Sequence, residues 1–180
     1  AEGLDAGAWT LDDPITASRH TERMGGSQVY LRTGETHSLG QLMKAVAVKS
    51  ANDAAMCVAE GLWGSEEAYL ARMNERAQEV GMKRTVFHSV HGLPPSAGEE
   101  FDQTTARDMA ILGRACVAHP QIHEWTTIKE FQFRERDCIL YNTNKLLWRM
   151  DDCDGLKTGY IHKAGFCVTA TAEREGVRLL

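Results

Sequence analysis

Asp154-Gly155-Leu156-Lys157-Thr158-Gly159-Tyr160, followed at once by Ile161-His162-Lys163-Ala164-Gly165-Phe166, reads as a strand, a turn and a second strand. From Phe166 the side chains alternate. Phe166, Val168, Ala170 and Ala172 share one face and Cys167, Thr169 and Thr171 the other, which is the period of a half-buried strand. Lys157, Thr158 and Gly159 therefore stand on a strand just before a turn. There an ammonium, a hydroxyl and an unobstructed backbone face whatever lies along that strand. A triplet of this kind arises by chance in roughly a few per cent of chains this long, so it gains meaning only with a partner elsewhere.

With 180 residues and 43% apolar content, the chain is long enough to bury a core and has the usual size of one domain. A formal net charge of -5 and the lack of any basic stripe argue against a nucleic-acid partner. No apolar run approaches the roughly 20 residues that span a bilayer, and the first residues carry no basic-then-apolar leader pattern. Cys57, Cys116, Cys138, Cys153 and Cys167 are odd in number and form no Cys-x-x-Cys. They indicate neither a complete disulfide framework nor a zinc ribbon, and most read as buried thiols.

In chain order, Leu11-Asp12-Asp13-Pro14 turns into an extended stretch, and residues 27–32 read as a short strand. Ser38 with Gln41 forms a capping box that opens a helix carrying Leu42, Met43, Val46 and Val48. A second helix follows over 54–62, so Ser50 and Asn52 fall at a junction between two helices. Ser65 caps a third helix, whose stripe of Tyr69, Leu70, Met73, Ala77 and Val80 ends at Gly81. An irregular loop runs through His91-Gly92-Leu93-Pro94-Pro95. Thr105 with Asp108 suggests another capping box, with its helix running to Pro120. Residues 130–134 alternate like an exposed strand, Asn142-Thr143-Asn144 precedes an apolar run at Leu146-Leu147-Trp148, and the last strands cover 166–174 and 177–180. No repeat or linker divides the chain.

Ser50-Ala51-Asn52 is the partner of Lys157-Thr158-Gly159. A Ser-x-Asn between helices, roughly a hundred residues before a Lys-Thr-Gly that opens a hairpin, resembles the second and third motifs of penicillin-binding proteins and serine β-lactamases. Ser50-Ala51-Asn52-Asp53-Ala54-Ala55, Phe87 with His91-Gly92-Leu93, Ala106-Arg107-Asp108-Met109-Ala110, Asn142-Thr143-Asn144 and the stretch from Gly155 to Gly165 narrow this to a resemblance to the low-molecular-mass D-alanyl-D-alanine carboxypeptidases. The likeness runs from Leu11 onward. It implies an α+β fold of the β-lactamase/transpeptidase type: a five-stranded antiparallel sheet covered by helices, with an inserted all-helical subdomain at about 38–127. Residues 1–180 then form a single incomplete domain, truncated at both ends.

One departure stands out, since no serine here has lysine three residues later. The family's nucleophile sits in such a Ser-x-x-Lys motif, so the expectation is that it lies shortly upstream and that the chain alone is inactive. A β-lactamase or a related transpeptidase is the less favoured enzyme reading, the lactamase because no Glu-x-x-Leu-Asn lies between the motifs. The alternative from another class is a truncated or degenerate homologue that binds peptidoglycan or a partner without catalysis.

The resemblance implies a serine D-Ala-D-Ala carboxypeptidase that trims the terminal D-Ala of peptidoglycan stem peptides through an acyl-enzyme, is inhibited by β-lactams and needs no cofactor. Ser50 then relays a proton, Asn52 holds the substrate amide, and Lys157 orients Ser50 and attracts the terminal carboxylate. Thr158 donates to that carboxylate, Gly159 leaves the strand open, and Tyr160, Asn142, Thr143 and Asn144 border the cleft. The same likeness places the protein outside the cytoplasmic membrane, with any anchor lying beyond this chain. Curtailed outer strands lead to the expectation of a strand-exchanged dimer or a complementing N-terminal chain. No metal site is expected: Pro120 interrupts any helix joining His119 to His123, and Asp151, Asp152 and Asp154 lack calcium-loop spacing.

Overall fold

The computed structural model describes residues 1–134 and 138–180. It begins with α1 (Glu2–Asp5), β1 (Pro14–Thr16), α2 (Arg19–Glu22) and β2 (Thr36–Ser38). Three long helices follow, α3 (Leu39–Lys49), α4 (Asn52–Trp63) and α5 (Glu66–Val80). After a long loop come α6 (Ala106–Val117), α7 (Pro120–Thr126), β3 (Glu130–Arg134), β4 (Cys138–Tyr141) and α8 (Leu146–Arg149). The chain closes with β5 (Cys153–Ile161), β6 (Gly165–Arg174) and β7 (Val177–Leu179).

Local chemistry sets the helix ends. Ser38 Oγ accepts from the Gln41 N–H and the Gln41 side chain accepts from the Ser38 N–H, each at 3.3 Å, so the box expected at α3 is complete. Ser65 Oγ accepts from the Ala68 N–H at 3.1 Å to open α5, and Gly81 at φ 93° closes it. At α6 only half of the expected box forms. Thr105 accepts from the Asp108 N–H, but the Asp108 carboxylate accepts instead from the Arg84 N–H and the Thr85 hydroxyl, both at 2.8 Å. Pro120 occupies the first turn of α7, where its missing N–H breaks no bond.

The strand expected over 27–32 is absent, because side chains satisfy its backbone instead. The buried Asp53 carboxylate accepts from the N–H groups of Val29 and Leu31 at 3.1 and 3.0 Å. From the other side the Arg134 guanidinium donates to the carbonyls of Val29 and Tyr30 at 2.7 and 3.2 Å. Val29 and Leu31 still point inward and join the core, where α3 and α4 contribute Leu42, Ala45, Val48, Ala54 and Cys57. Cys57 alone among the cysteines is fully buried, which pushes its thiol up to about 12, while Cys116, Cys138 and Cys153 are half-buried and Cys167 is exposed. The expectation of mostly buried thiols is thereby corrected.

Strands β1 and β2 form one antiparallel pair, β3 and β4 a second, and β5-β6-β7 an antiparallel sheet with β5 at its edge. The hairpin read from the sequence aligns Thr158 with Val168 and Tyr160 with Phe166. Its alternation is real, yet the apolar stripe is the exposed one, with Phe166 at 91% and Val168 at 55% of full exposure. Helices cover the threonine face instead. A Cβ added at Gly113 of α6 would lie 3.2 Å from the Thr169 methyl, and Thr171 is buried with its hydroxyl donating to Asp154 at 2.6 Å.

Candidate active site

Helix α3 ends because Ser50 adopts the left-handed conformation, φ 60° and ψ 42°. A non-glycine residue there costs about 1 kcal/mol, and it lets α4 begin two residues later at Asn52. The turn aims the Ser50 side chain out of the helix packing. Lys157 on β5 reaches it from 107 residues away, its ammonium donating to Ser50 Oγ at 2.8 Å and to the Thr158 carbonyl at 2.8 Å. No carboxylate is within ion-pair distance of this ammonium among the described residues. Burial therefore acts on it unopposed and lowers its pKa from 10.5 to about 8. A lysine so placed is still mostly protonated at pH 7 but titrates within reach of physiological conditions.

Asn52 stands beside this pair at the start of α4. Its side-chain amide donates to the Gly25 carbonyl at 2.9 Å and its backbone N–H donates to the Ser27 carbonyl at 2.8 Å. The Ser27 hydroxyl closes the ring by donating to the Lys49 carbonyl at 2.8 Å. Residues 25–27 thus lie flat against the Ser-x-Asn turn. Gly26, at φ 73°, has no room for a side chain: an added Cβ would sit 2.6 Å from Asn52 Nδ2 and 2.8 Å from Leu93 Cδ2. Leu93, from the irregular loop, is in this way brought next to Asn52.

The expected Asn142-Thr143-Asn144 segment divides into two kinds of residue. Asn142 donates to the carbonyls of Ile128 and Thr126 at 2.8 and 3.3 Å and accepts from the Asn144 N–H at 2.8 Å. Asn144 donates to the Gly155 carbonyl at 3.1 Å and accepts from the Leu146 N–H at 3.1 Å. Both side chains are buried and tie β5 to its neighbours. Thr143 between them is exposed. Its N–H donates to the Val48 carbonyl at 3.1 Å, and its hydroxyl meets that of Thr158 at 2.6 Å. Gly159 is exposed, and Tyr160 stacks on Phe166 with ring centroids 4.6 Å apart. The structure thus groups Ser50, Lys157, Thr158 and Thr143, sets Asn52 beside them, and leaves Tyr160 on the outer face of the hairpin.

A model of the D-alanyl-D-alanine carboxypeptidase family matches residues 1–180. The chain belongs to that family. D-alanyl-D-alanine carboxypeptidase DacF of Bacillus subtilis is 36% identical over 182 residues, covering 99% of this chain and 46% of the relative. For DacC of Escherichia coli the figures are 37% over 174 residues, 96% of this chain and 40% of the relative. The chain therefore spans less than half the length of these two relatives. The crystal structure of the carboxypeptidase DacD from Francisella tularensis matches with a TM-score of 0.89 at 26% identity, over 98% of this chain and 54% of that one. A penicillin-binding protein of Listeria monocytogenes, solved in an ampicillin-bound form, matches with a TM-score of 0.84 at 30% identity, over 98% and 70%. The mixed helix-and-sheet class expected from the motifs is the class of these structures.

Three contributors to the site had no role in it assigned from the sequence: Asp53 and Leu93, which only helped carry the family resemblance, and Gly26. The paired glycines Gly25-Gly26 favour a turn, and Asp53 directly follows Asn52, but neither pattern says what the segment packs against.

Proposed function

We propose that this chain carries the substrate-handling half of a serine D-Ala-D-Ala carboxypeptidase that removes the terminal D-Ala of peptidoglycan stem peptides. The observation that carries the reading is the 2.8 Å hydrogen bond from the Lys157 ammonium to Ser50 Oγ, beside an open strand edge. The nucleophile belongs to a Ser-x-x-Lys motif outside these 180 residues. Its Oγ forms the new ester bond to the penultimate D-Ala carbonyl carbon, and the C–N bond to the last D-Ala breaks. The lysine of that motif takes the proton from the attacking hydroxyl, and Ser50 relays it to the departing amine, with Lys157 holding the Ser50 hydroxyl in place. Water then hydrolyses the ester.

The terminal carboxylate sits at the Lys157 ammonium and the Thr158 hydroxyl, with Thr143 steadying that hydroxyl. Asn52 holds the substrate amide, and Gly159 lets the peptide lie along β5 by backbone pairing. β-Lactams acylate the same nucleophile, and the protein works outside the cytoplasmic membrane. Residues 38–127 form the inserted, mainly helical subdomain of a single domain that these residues only partly make up.

Fluorescent penicillin tests the reading. The expected result is covalent labelling of the whole protein, D-alanine release from peptides ending in D-Ala-D-Ala, and no labelling of the 180-residue chain alone. A whole protein that is neither labelled nor active supports the degenerate, binding-only alternative. Labelling of the isolated chain overturns the claim that its nucleophile lies elsewhere.

A further inference from the structure

Strand β5 does not pair with β6 in one continuous register. Cys153 stands opposite Ala172 and Gly155 opposite Thr171, so Asp154 is an extra residue and marks a bulge. From Gly155 onward the pairing is regular, with Lys157 opposite Thr169. Directly opposed residues share a face of the sheet, so Lys157 lies with Thr169 and Thr171 on the side that the helices cover. The bulge decides this. Without the extra residue the strand would be one position out of step, and the Lys157 side chain would turn to the outer face, away from Ser50.

An edge strand has a ladder on one side only, so a bulge in it needs other anchors, and the Asp154 carboxylate collects them. The Thr171 hydroxyl donates to one oxygen at 2.6 Å, the Arg178 guanidinium donates to the other at 2.5 Å, and His123 Nε2 lies 3.8 Å from that second oxygen. These partners belong to β6, β7 and α7. The Asp154 side chain is only 16% exposed, so its charge-assisted bonds are shielded from water. The backbone is held as well. The Thr126 hydroxyl donates to the Asp154 carbonyl at 3.2 Å, and a Cβ at Gly155 would lie 2.8 Å from Thr126 Oγ1 and 3.2 Å from Thr171 Oγ1. Lys157 follows this clamp directly along the strand.

We propose that Asp154 is a positioning residue for the reaction: its carboxylate, held by Thr171, Arg178 and His123, fixes the bulge whose register turns Lys157 toward Ser50. It acts on the proton relay through β5 and not by touching substrate. This rests on the carboxypeptidase reading above.

The test uses the whole protein with Asp154→Ala, Asp154→Asn and Thr171→Val. Release of D-alanine from a peptide ending in D-Ala-D-Ala gives kcat and KM between pH 7 and 10, and thermal unfolding gives the folded fraction. Per folded molecule, Asp154→Ala is expected to lower kcat by about 10- to 100-fold, the range that a displacement of up to about 1 Å supplies. Thr171→Val lowers it by less, and Asp154→Asn, which still accepts from Thr171, recovers part of the loss. In the natural protein KM rises above about pH 8 as Lys157 loses its proton. In Asp154→Ala that rise moves to higher pH, because a displaced ammonium regains water. Removing the charge without moving the strand would shift the rise to lower pH. A natural kcat in both Asp154→Ala and Thr171→Val, or a KM rise that is unmoved or shifted downward, overturns the proposal while turnover and penicillin labelling leave the parent reading intact. Where Asp154→Ala does not fold, Asp154→Asn and Thr171→Val decide, and natural values in both overturn it. Absence of both turnover and labelling in the natural protein overturns the parent reading, and the proposal with it.

Discussion

Replacing Lys157 by methionine isolates the effect of burying an ammonium without a countercharge. The folded protein holds this group at about 8, below its ordinary 10.5, so between those values the unfolded chain binds more protons than the folded one. Stability from this group is therefore lowest below pH 8 and recovers as pH rises toward 10.5. At about 1.4 kcal/mol per pH unit, the recovery between pH 7 and pH 10 is about 2.5 kcal/mol. Urea unfolding of the natural chain and of Lys157→Met at pH 7, 8, 9 and 10 measures it, because the difference between them cancels every other titrating group. The natural chain is expected to gain about 2.5 kcal/mol on the variant over that range. Parallel stability profiles would refute the claim that burial depresses Lys157. In the whole protein the same titration is expected to weaken capture of a terminal carboxylate above pH 8, visible as a rise in KM.

Other substitutions probe the parts around this lysine. Ser50→Ala removes the hydroxyl that Lys157 holds, and penicillin acylation of the whole protein is expected to slow by about a hundredfold or more, measured by stopped-flow fluorescence. Asp53→Ala leaves the buried N–H groups of Val29 and Leu31 without an acceptor and is expected to cost about 2–4 kcal/mol in urea unfolding. Gly26→Ala forces a side chain into the space held by Asn52 and Leu93 at φ 73°. It is expected to cost about 1–2 kcal/mol and to slow acylation as well.

The sequence by itself determined the features whose causes are local. The capping box of Ser38 and Gln41 joins residues only three apart and needs no distant partner, and a two-residue alternation marks a strand before any partner arrives. For that reason α3, α5 and the β5–β6 hairpin stand where they were read, and Ser50, Asn52 and Lys157 could be singled out as motif residues. Tertiary structure decided everything that depends on what those elements meet. It turned the apolar stripe of β6 outward, since α6 and α7 cover the threonine face. It replaced an expected strand at 27–32 with a segment pinned by Asp53 and Arg134, because a buried carboxylate and a guanidinium satisfy backbone groups as well as a ladder does. Only the fold could bring Lys157 to Ser50 across 107 residues, and only burial could set its proton affinity. Desolvation depends on the atoms packed around a group, and no local pattern of residue types records them.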